Sequence, residues 1–266
     1  MILDDNMIIS ATIGAVRTLK DENGIGFRRY SEEQETAFAL NNKYFPSPEF
    51  DRYFYNNCLN SIGIYLDFVT DAISVEITRG NVGKRKAFCD VFADGKRIRS
   101  WNGEKTAISF AEKKERRITV YLASGREYIS EIMLGGASLF RPYFKQGTDI
   151  LFLGDSIFQG VGAVRPSVTM PTVIGRRLDA RILNQGNSGH VYDENTIEKI
   201  CEPKLIIMGY GCNDRDRKSE DDFYNDTLAY AKKVINCTFI GNEGGNNGGV
   251  LHNQQGNVYD SCFVDN

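Results

Sequence analysis

Histidine is scarce in this sequence. Only His190 and His252 occur among 266 residues, which excludes a site built on several imidazoles. The six cysteines stand at 58, 89, 201, 212, 237 and 262, with no CxxC pair. That spacing argues against structural zinc, and the low density argues for free, mostly buried thiols over a disulfide framework. Six prolines exclude a collagen-like or proline-rich chain. Charge of one sign is also lacking: 32 Lys+Arg face 35 Asp+Glu, a net −3. No chain-wide field draws nucleic acid or anionic lipid, and no nucleic-acid partner is expected. No apolar run reaches the roughly 18 residues of a membrane span. Acidic Asp4-Asp5 stand where a secretory signal carries basic residues. A cytoplasmic location is the default expectation, with an extracellular one if the N-terminus is incomplete.

What is present is an ordinary globular composition, 41% hydrophobic and 25% charged. At about 150 residues per domain the length suits two domains. Residues 1–147 read as a β-rich sandwich, jelly-roll-like. Short alternating runs such as Ile73-Ser74-Val75-Glu76-Ile77 and Arg117 to Leu122 recur between the turn signals Asp94-Gly95, Asn102-Gly103 and Ser124-Gly125. Val75 and Ile77 face one way, Ser74, Glu76 and Thr78 the other. Ser31 to Leu40 suits a short helix. Trp101, beside Asn102-Gly103, is read as a partly buried sandwich residue, with a sugar-stacking platform as the alternative.

Residues 148–235 change to a βαβ rhythm. Asp149 to Leu153 is a continuous apolar strand, as a buried parallel strand requires. Pro171 to Leu178 predicts a helix and Ala180 to Asn184 a second strand. Tyr192 to Cys201 predicts a second helix, with Asp193 as N-cap. Pro203 to Gly209 predicts a third strand. Ser219-Glu220-Asp221-Asp222 predicts a capping box opening a helix to about Val234. Strands alternating with helices imply a parallel sheet.

Residues 236–266 contain no Lys or Arg and hold seven Asn and six Gly. The stretches beginning at Asn236 and Asp260 are alike, with Phe239 aligned to Phe263 and Asn242 to Asn266. Such a repeat suits a short β-helix-like coil and resembles the repeats of adhesin-like right-handed β-helix proteins. A Gly/Asn-rich disordered tail is the other reading.

The chemistry lies at the strand ends. Gly154-Asp155-Ser156-Ile157 follows the first parallel strand, Asn184-Gln185-Gly186-Asn187-Ser188-Gly189 closes the second, and Gly211-Cys212-Asn213-Asp214 follows the third. Open α/β sheets place ligands at this edge. Acyl transfer needs a nucleophile and donors aimed at an oxyanion, and a serine, a glycine N–H and an asparagine amide supply them. Asp214 to Lys218 reads as a solvated loop.

These three segments resemble the first three blocks of the SGNH or GDSL hydrolases, over about residues 148 to 235. The resemblance implies a truncated α/β/α SGNH domain, with Ser156 as nucleophile and Gly189 and Asn213 completing the oxyanion hole. It implies ester hydrolysis, with acetylated carbohydrate as one substrate class, and no metal or organic cofactor. The front half is similar in layout to sandwich domains preceding SGNH domains in some bacterial carbohydrate esterases.

The family's fourth block, a late Asp-x-x-His that supplies the general base, does not occur after Asn213, and the chain ends about 110 residues past Ser156. His252 follows Gly249-Val250-Leu251 and lacks the orienting aspartate. His190, next to Gly189, is expected near the pocket mouth, as a loop or substrate-side residue. A non-catalytic fusion or truncated product, joined near 235, and a glycan-binding adhesin-like protein are the alternatives to an esterase. The acyl group, the alcohol and the oligomeric state are not legible.

Overall fold

The computed structural model describes residues 1–40, 44–80 and 87–239, with side chains as far as 235. The front segment opens with helix α1 (Asp5–Ser10), strands β1 (Thr12–Ile13), β2 (Arg17–Asp21) and β3 (Gly24–Arg28), and helices α2 (Glu32–Ala39) and α3 (Pro48–Cys58). Strands β4 (Tyr65–Thr70), β5 (Ser74–Gly80), β6 (Cys89–Ala93) and β7 (Lys96–Trp101) follow. Then come β8 (Lys105–Ser109), β9 (Arg116–Tyr121), β10 (Tyr128–Gly135) and β11 (Phe140–Pro142).

These strands form two antiparallel sheets. One has the order β1-β4-β9-β6-β7, with β11 also on β4; the other runs β2-β3-β10-β5-β8. The inward residues of both meet in one core: Leu66, Phe68, Val91, Ile118 and Val120 from the first, Phe27, Val75, Ile77, Ile132 and Leu134 from the second. Two sheets closed over a shared apolar layer is the sandwich layout that the alternation implies. In β5, Val75 and Ile77 are buried while Ser74, Glu76 and Thr78 are half-buried, as the period of two requires. The Asp94-Gly95 turn joins β6 to β7 with positive φ at both residues, the geometry that suits a tight hairpin. Trp101 is buried in the same core, which removes the sugar-platform alternative.

Helix α2 begins where Ser31 and Gln34 make a reciprocal capping box. Helix α3 lies within the stretch read as β-rich; Ser47 caps it, Pro48 opens it, and Glu49 and Asp51 lie in its first turn.

Behind the sandwich lie β12 (Ile150–Gly154), α4 (Ser156–Gln159), α5 (Met170–Leu178), β13 (Ile182–Gly186), β14 (Leu205–Gly209), α6 (Cys212–Arg215) and α7 (Glu220–Phe239). The three strands form a parallel sheet, β13-β12-β14. The apolar run of β12 is buried on both faces. Ile150 and Phe152 pack with Tyr65, Phe92 and Tyr121 of the sandwich, and Leu151 and Leu153 pack with Tyr230 and Val234 of α7.

The helix expected over Tyr192 to Cys201 does not form. Only a 3-10 turn, Glu194–Thr196, is present. Asp193 caps this turn by accepting from the Asn195 N–H, and the Thr196 hydroxyl donates to the Asp193 carbonyl. These local bonds compete with a continuing helix, while Tyr192 and Ile197 are drawn into the core beneath α7. The backbone of α7 runs to Phe239, past the position where the repeat-like tail was expected to begin. The rest of that tail, with His252, lies outside the described residues.

Candidate active site

The parallel register sets the site. Gly154 is level with Gly186 on one side and with Gly209 on the other, so the three strand-end loops leave the sheet at one height. Helix α4 crosses directly over these glycines. A Cβ on Gly154 would stand 2.5 Å from the Phe158 ring and one on Gly209 2.6 Å from it, while one on Gly186 would run into the Gln159 backbone nitrogen. The glycines are what let the segment bearing Ser156 lie flat on the strand ends.

Ser156 is the first residue of α4 and is partly exposed. Its neighbour Asp155 is buried, and its carboxylate caps α4 by accepting from the Ile157 N–H at 2.9 Å. The same carboxylate accepts from the Cys212 thiol at 3.3 Å and from the Asn213 amide at 3.4 Å. Asn213 also donates to the His190 carbonyl at 3.0 Å. One asparagine side chain thus bridges the residue after Gly189 and the residue before Ser156, and the three predicted site residues come together on one rim.

Gly189 has a φ of +79°, which a side chain would strain. Its loop is held from several directions. The Ser188 N–H donates to Gln159 Oε1 at 2.5 Å, and the Asn187 amide donates to the Phe54 carbonyl and to Cys58 Sγ. The Tyr53 and Ser188 hydroxyls share a hydrogen bond of 2.9 Å. A Cβ on Gly189 would meet the edge of the Tyr53 ring at 3.3 Å. Helix α3 of the front segment therefore forms one wall of this rim. The sequence carried no sign of that, since Tyr53 and Gly189 are distant in the chain.

Two expectations need correction. Asp214 and Lys218 do not belong to a solvated loop: both side chains are fully buried and paired at 2.9 Å. Asp214 accepts from the Tyr192 and Gly211 N–H groups and Lys218 donates to the Tyr192 carbonyl, which fixes the loop that carries Asn213. Arg215, Asp216 and Arg217 between them are exposed. Nor does the His190 side chain stand at a pocket mouth. It is 2% exposed, wedged edge-on between Phe38 and Phe54 with ring centroids 4.8 and 4.9 Å away. Burial pushes its pKa down to about 4, against the smaller upward pull of the Asp193 and Asp214 carboxylates. Among the described residues no side chain hydrogen-bonds to the Ser156 hydroxyl, and no group of three or more His, Cys, Asp or Glu could hold a metal ion.

No family model matches the sequence, and no curated protein matches it. Solved structures do match the fold. One is the salicylyl-acyltransferase SsfX3 from a tetracycline biosynthetic pathway, with a TM-score of 0.68 and 17% identity over 85% of this chain and 68% of that one. A second, described as a GDSL-like lipase from Bacteroides ovatus, gives 0.63 and 15% over 89% of this chain and 71% of that one. A third, a family two carbohydrate esterase from Clostridium thermocellum, gives 0.58 and 12% over 85% of this chain and 74% of that one. The chain has an SGNH-like fold, a parallel sheet preceded by antiparallel sheets.

Proposed function

We propose that this chain carries the ester-cleaving centre of an SGNH-type acylhydrolase, with acetylated carbohydrate as the substrate class. Ser156 Oγ would attack the ester carbonyl. The N–H groups of Ser156 and Gly189 would stabilise the oxyanion that forms, and the Asn213 amide would join them by turning one of its two N–H groups from Asp155, its longer bond at 3.4 Å, to the developing charge. The observation that carries this reading is the Asn213 bridge, which ties the Ser156 and Gly189 loops at one rim. Fold neighbours described as carbohydrate esterases support the substrate class.

Among the described residues no general base faces the Ser156 hydroxyl. A serine hydroxyl with no base stays protonated at neutral pH and is a poor nucleophile. His190 is sealed between two rings, and this sequence holds no Asp-x-x-His. The burial of the His190 ring away from the rim favours the second reading, a non-catalytic protein of this fold. Donors and binding without a base leave a residual acceleration on the order of 10³ to 10⁴ over water, so slow turnover is expected.

The test is hydrolysis of p-nitrophenyl acetate by the chain and by Ser156→Ala, each with and without added imidazole as an external base. The expected result is slow turnover that imidazole raises, above the background measured with Ser156→Ala. Equal rates for the two folded proteins at every imidazole concentration would remove Ser156 as nucleophile and leave the non-catalytic reading.

A further inference from the structure

Arg29 is wholly buried and, among the described residues, has no carboxylate within ion-pairing distance. Its guanidinium instead donates to four backbone carbonyls. Nε reaches Asn60 at 2.6 Å and Nη2 reaches Asn57 at 3.0 Å. Nη1 reaches both Asn184 and Gly186 at 2.8 Å. A buried guanidinium is unfavourable unless its donors are well met, so this arrangement needs its carbonyl acceptors in place.

The acceptors come from two elements. Asn57 lies in the last turn of α3 and Asn60 just past its cap; the Asn57 carbonyl also accepts from the Asn60 N–H at 3.2 Å, and the helix dipole favours a cation at this end. Asn184 and Gly186 lie two residues apart on β13, an edge strand, so their carbonyls point the same way, off the sheet. The contact is reciprocal, since Gln185 Nε2 donates back to the Arg29 carbonyl at 2.8 Å. Gly186 is the last residue of β13, and the chain from it leads straight into Asn187-Ser188-Gly189.

We propose that Arg29 is a positioning residue for the oxyanion loop. Its rigid fork fixes where β13 ends and so where the Gly189 N–H points, and through it the front segment sets the geometry of the rear site. This rests on the ester-cleaving reading of Ser156. Lysine in its place keeps the charge, but a compact ammonium cannot span both elements.

Arg29→Lys and Arg29→Gln are compared with the wild type and with Asp179→Asn. Asp179 contacts Arg117 and Tyr143 of the front segment at a site that the Asn213 rim does not include, and asparagine tolerates its left-handed backbone. The readouts are amide hydrogen exchange in residues 184–190 and kcat and KM on p-nitrophenyl acetate. In both Arg29 variants exchange there should rise at least about tenfold and elsewhere less than about twofold. By the cost of a misplaced oxyanion donor, kcat should fall roughly 10- to 100-fold with KM within about threefold. Asp179→Asn should do neither. Unchanged loop exchange in folded Arg29→Lys, or exchange raised evenly along the whole chain, overturns the proposal. An inert wild type would overturn the nucleophile reading, and the exchange data would then decide the role of Arg29 alone.

Discussion

His190 adjoins the oxyanion glycine, yet its physics is that of a core residue. In the unfolded chain the imidazole titrates near 6.5, whereas in the fold burial holds it down to about 4. A depressed histidine favours the fold fully above the unfolded value. Between 6.5 and 4 the unfolded chain binds a proton that the native state refuses, and stability is lost as pH falls across that window. The shift corresponds to roughly 3 kcal/mol. Urea unfolding midpoints followed from pH 7.5 to 4 should therefore drop more steeply for the wild type than for His190→Leu. Parallel slopes for the two would show that the buried imidazole titrates normally. Position in the sequence placed His190 correctly beside Gly189, but not the direction of its ring, because Phe38 and Phe54 reach it from helices far upstream.

The parallel sheet is set at both ends by a few residues. At the C-terminal edge the level glycines admit α4. At the opposite edge Asp149 joins all three strands: its carboxylate takes two side-chain hydrogen bonds from Arg181, both at 2.8 Å, and one from the Arg181 N–H, and it pairs with Lys204 at 3.1 Å. Arg181 holds this carboxyl well below the usual carboxylate range. Its contribution is present above the ordinary carboxylate pKa and is lost as the group is protonated at lower pH. Asp149→Ala should lower stability at pH 7 by about 2 kcal/mol, the scale of charge-assisted hydrogen bonds. An unchanged denaturation midpoint would show that solvent replaces the network at no cost. Elements of this kind are readable where one local signal dominates, as in the apolar run of β12 and the Ser219 cap of α7, whose hydroxyl accepts from the Asp222 N–H at 3.1 Å. Reading failed where long-range contacts decide. Tyr192 to Ile197 have helical spacing but are held by the core under α7 and by the Asp193 turn. Arg29 gives no sequence signal at all, since its partners are carbonyls, which every residue has.

At the scale of the whole molecule, the change of pattern near residue 148 marks a change of architecture but not a break in packing. Ile13, Tyr65, Phe92 and Tyr121 of the sandwich share one cluster with Ile150, Phe152, Phe158 and Ile182 of the rear layer. Arg29 and the hydrogen bond between Tyr53 and Ser188 join the same two parts at the site. A cluster shared in this way couples the unfolding of both halves, because neither buries its own face alone. Trp101, the sole tryptophan, sits in the sandwich core, so its fluorescence reports on the front half without interference. Phe152→Ala removes a fully buried ring from the rear strand and should cost about 3–5 kcal/mol. The Trp101 unfolding transition should then move to lower denaturant by the same amount as the loss of amide protection in residues 220–235 of α7. If the Trp101 transition stays at its wild-type midpoint while α7 loses protection, the halves are independent. The control that the front segment exerts on the oxyanion loop would then be confined to the contacts at the rim.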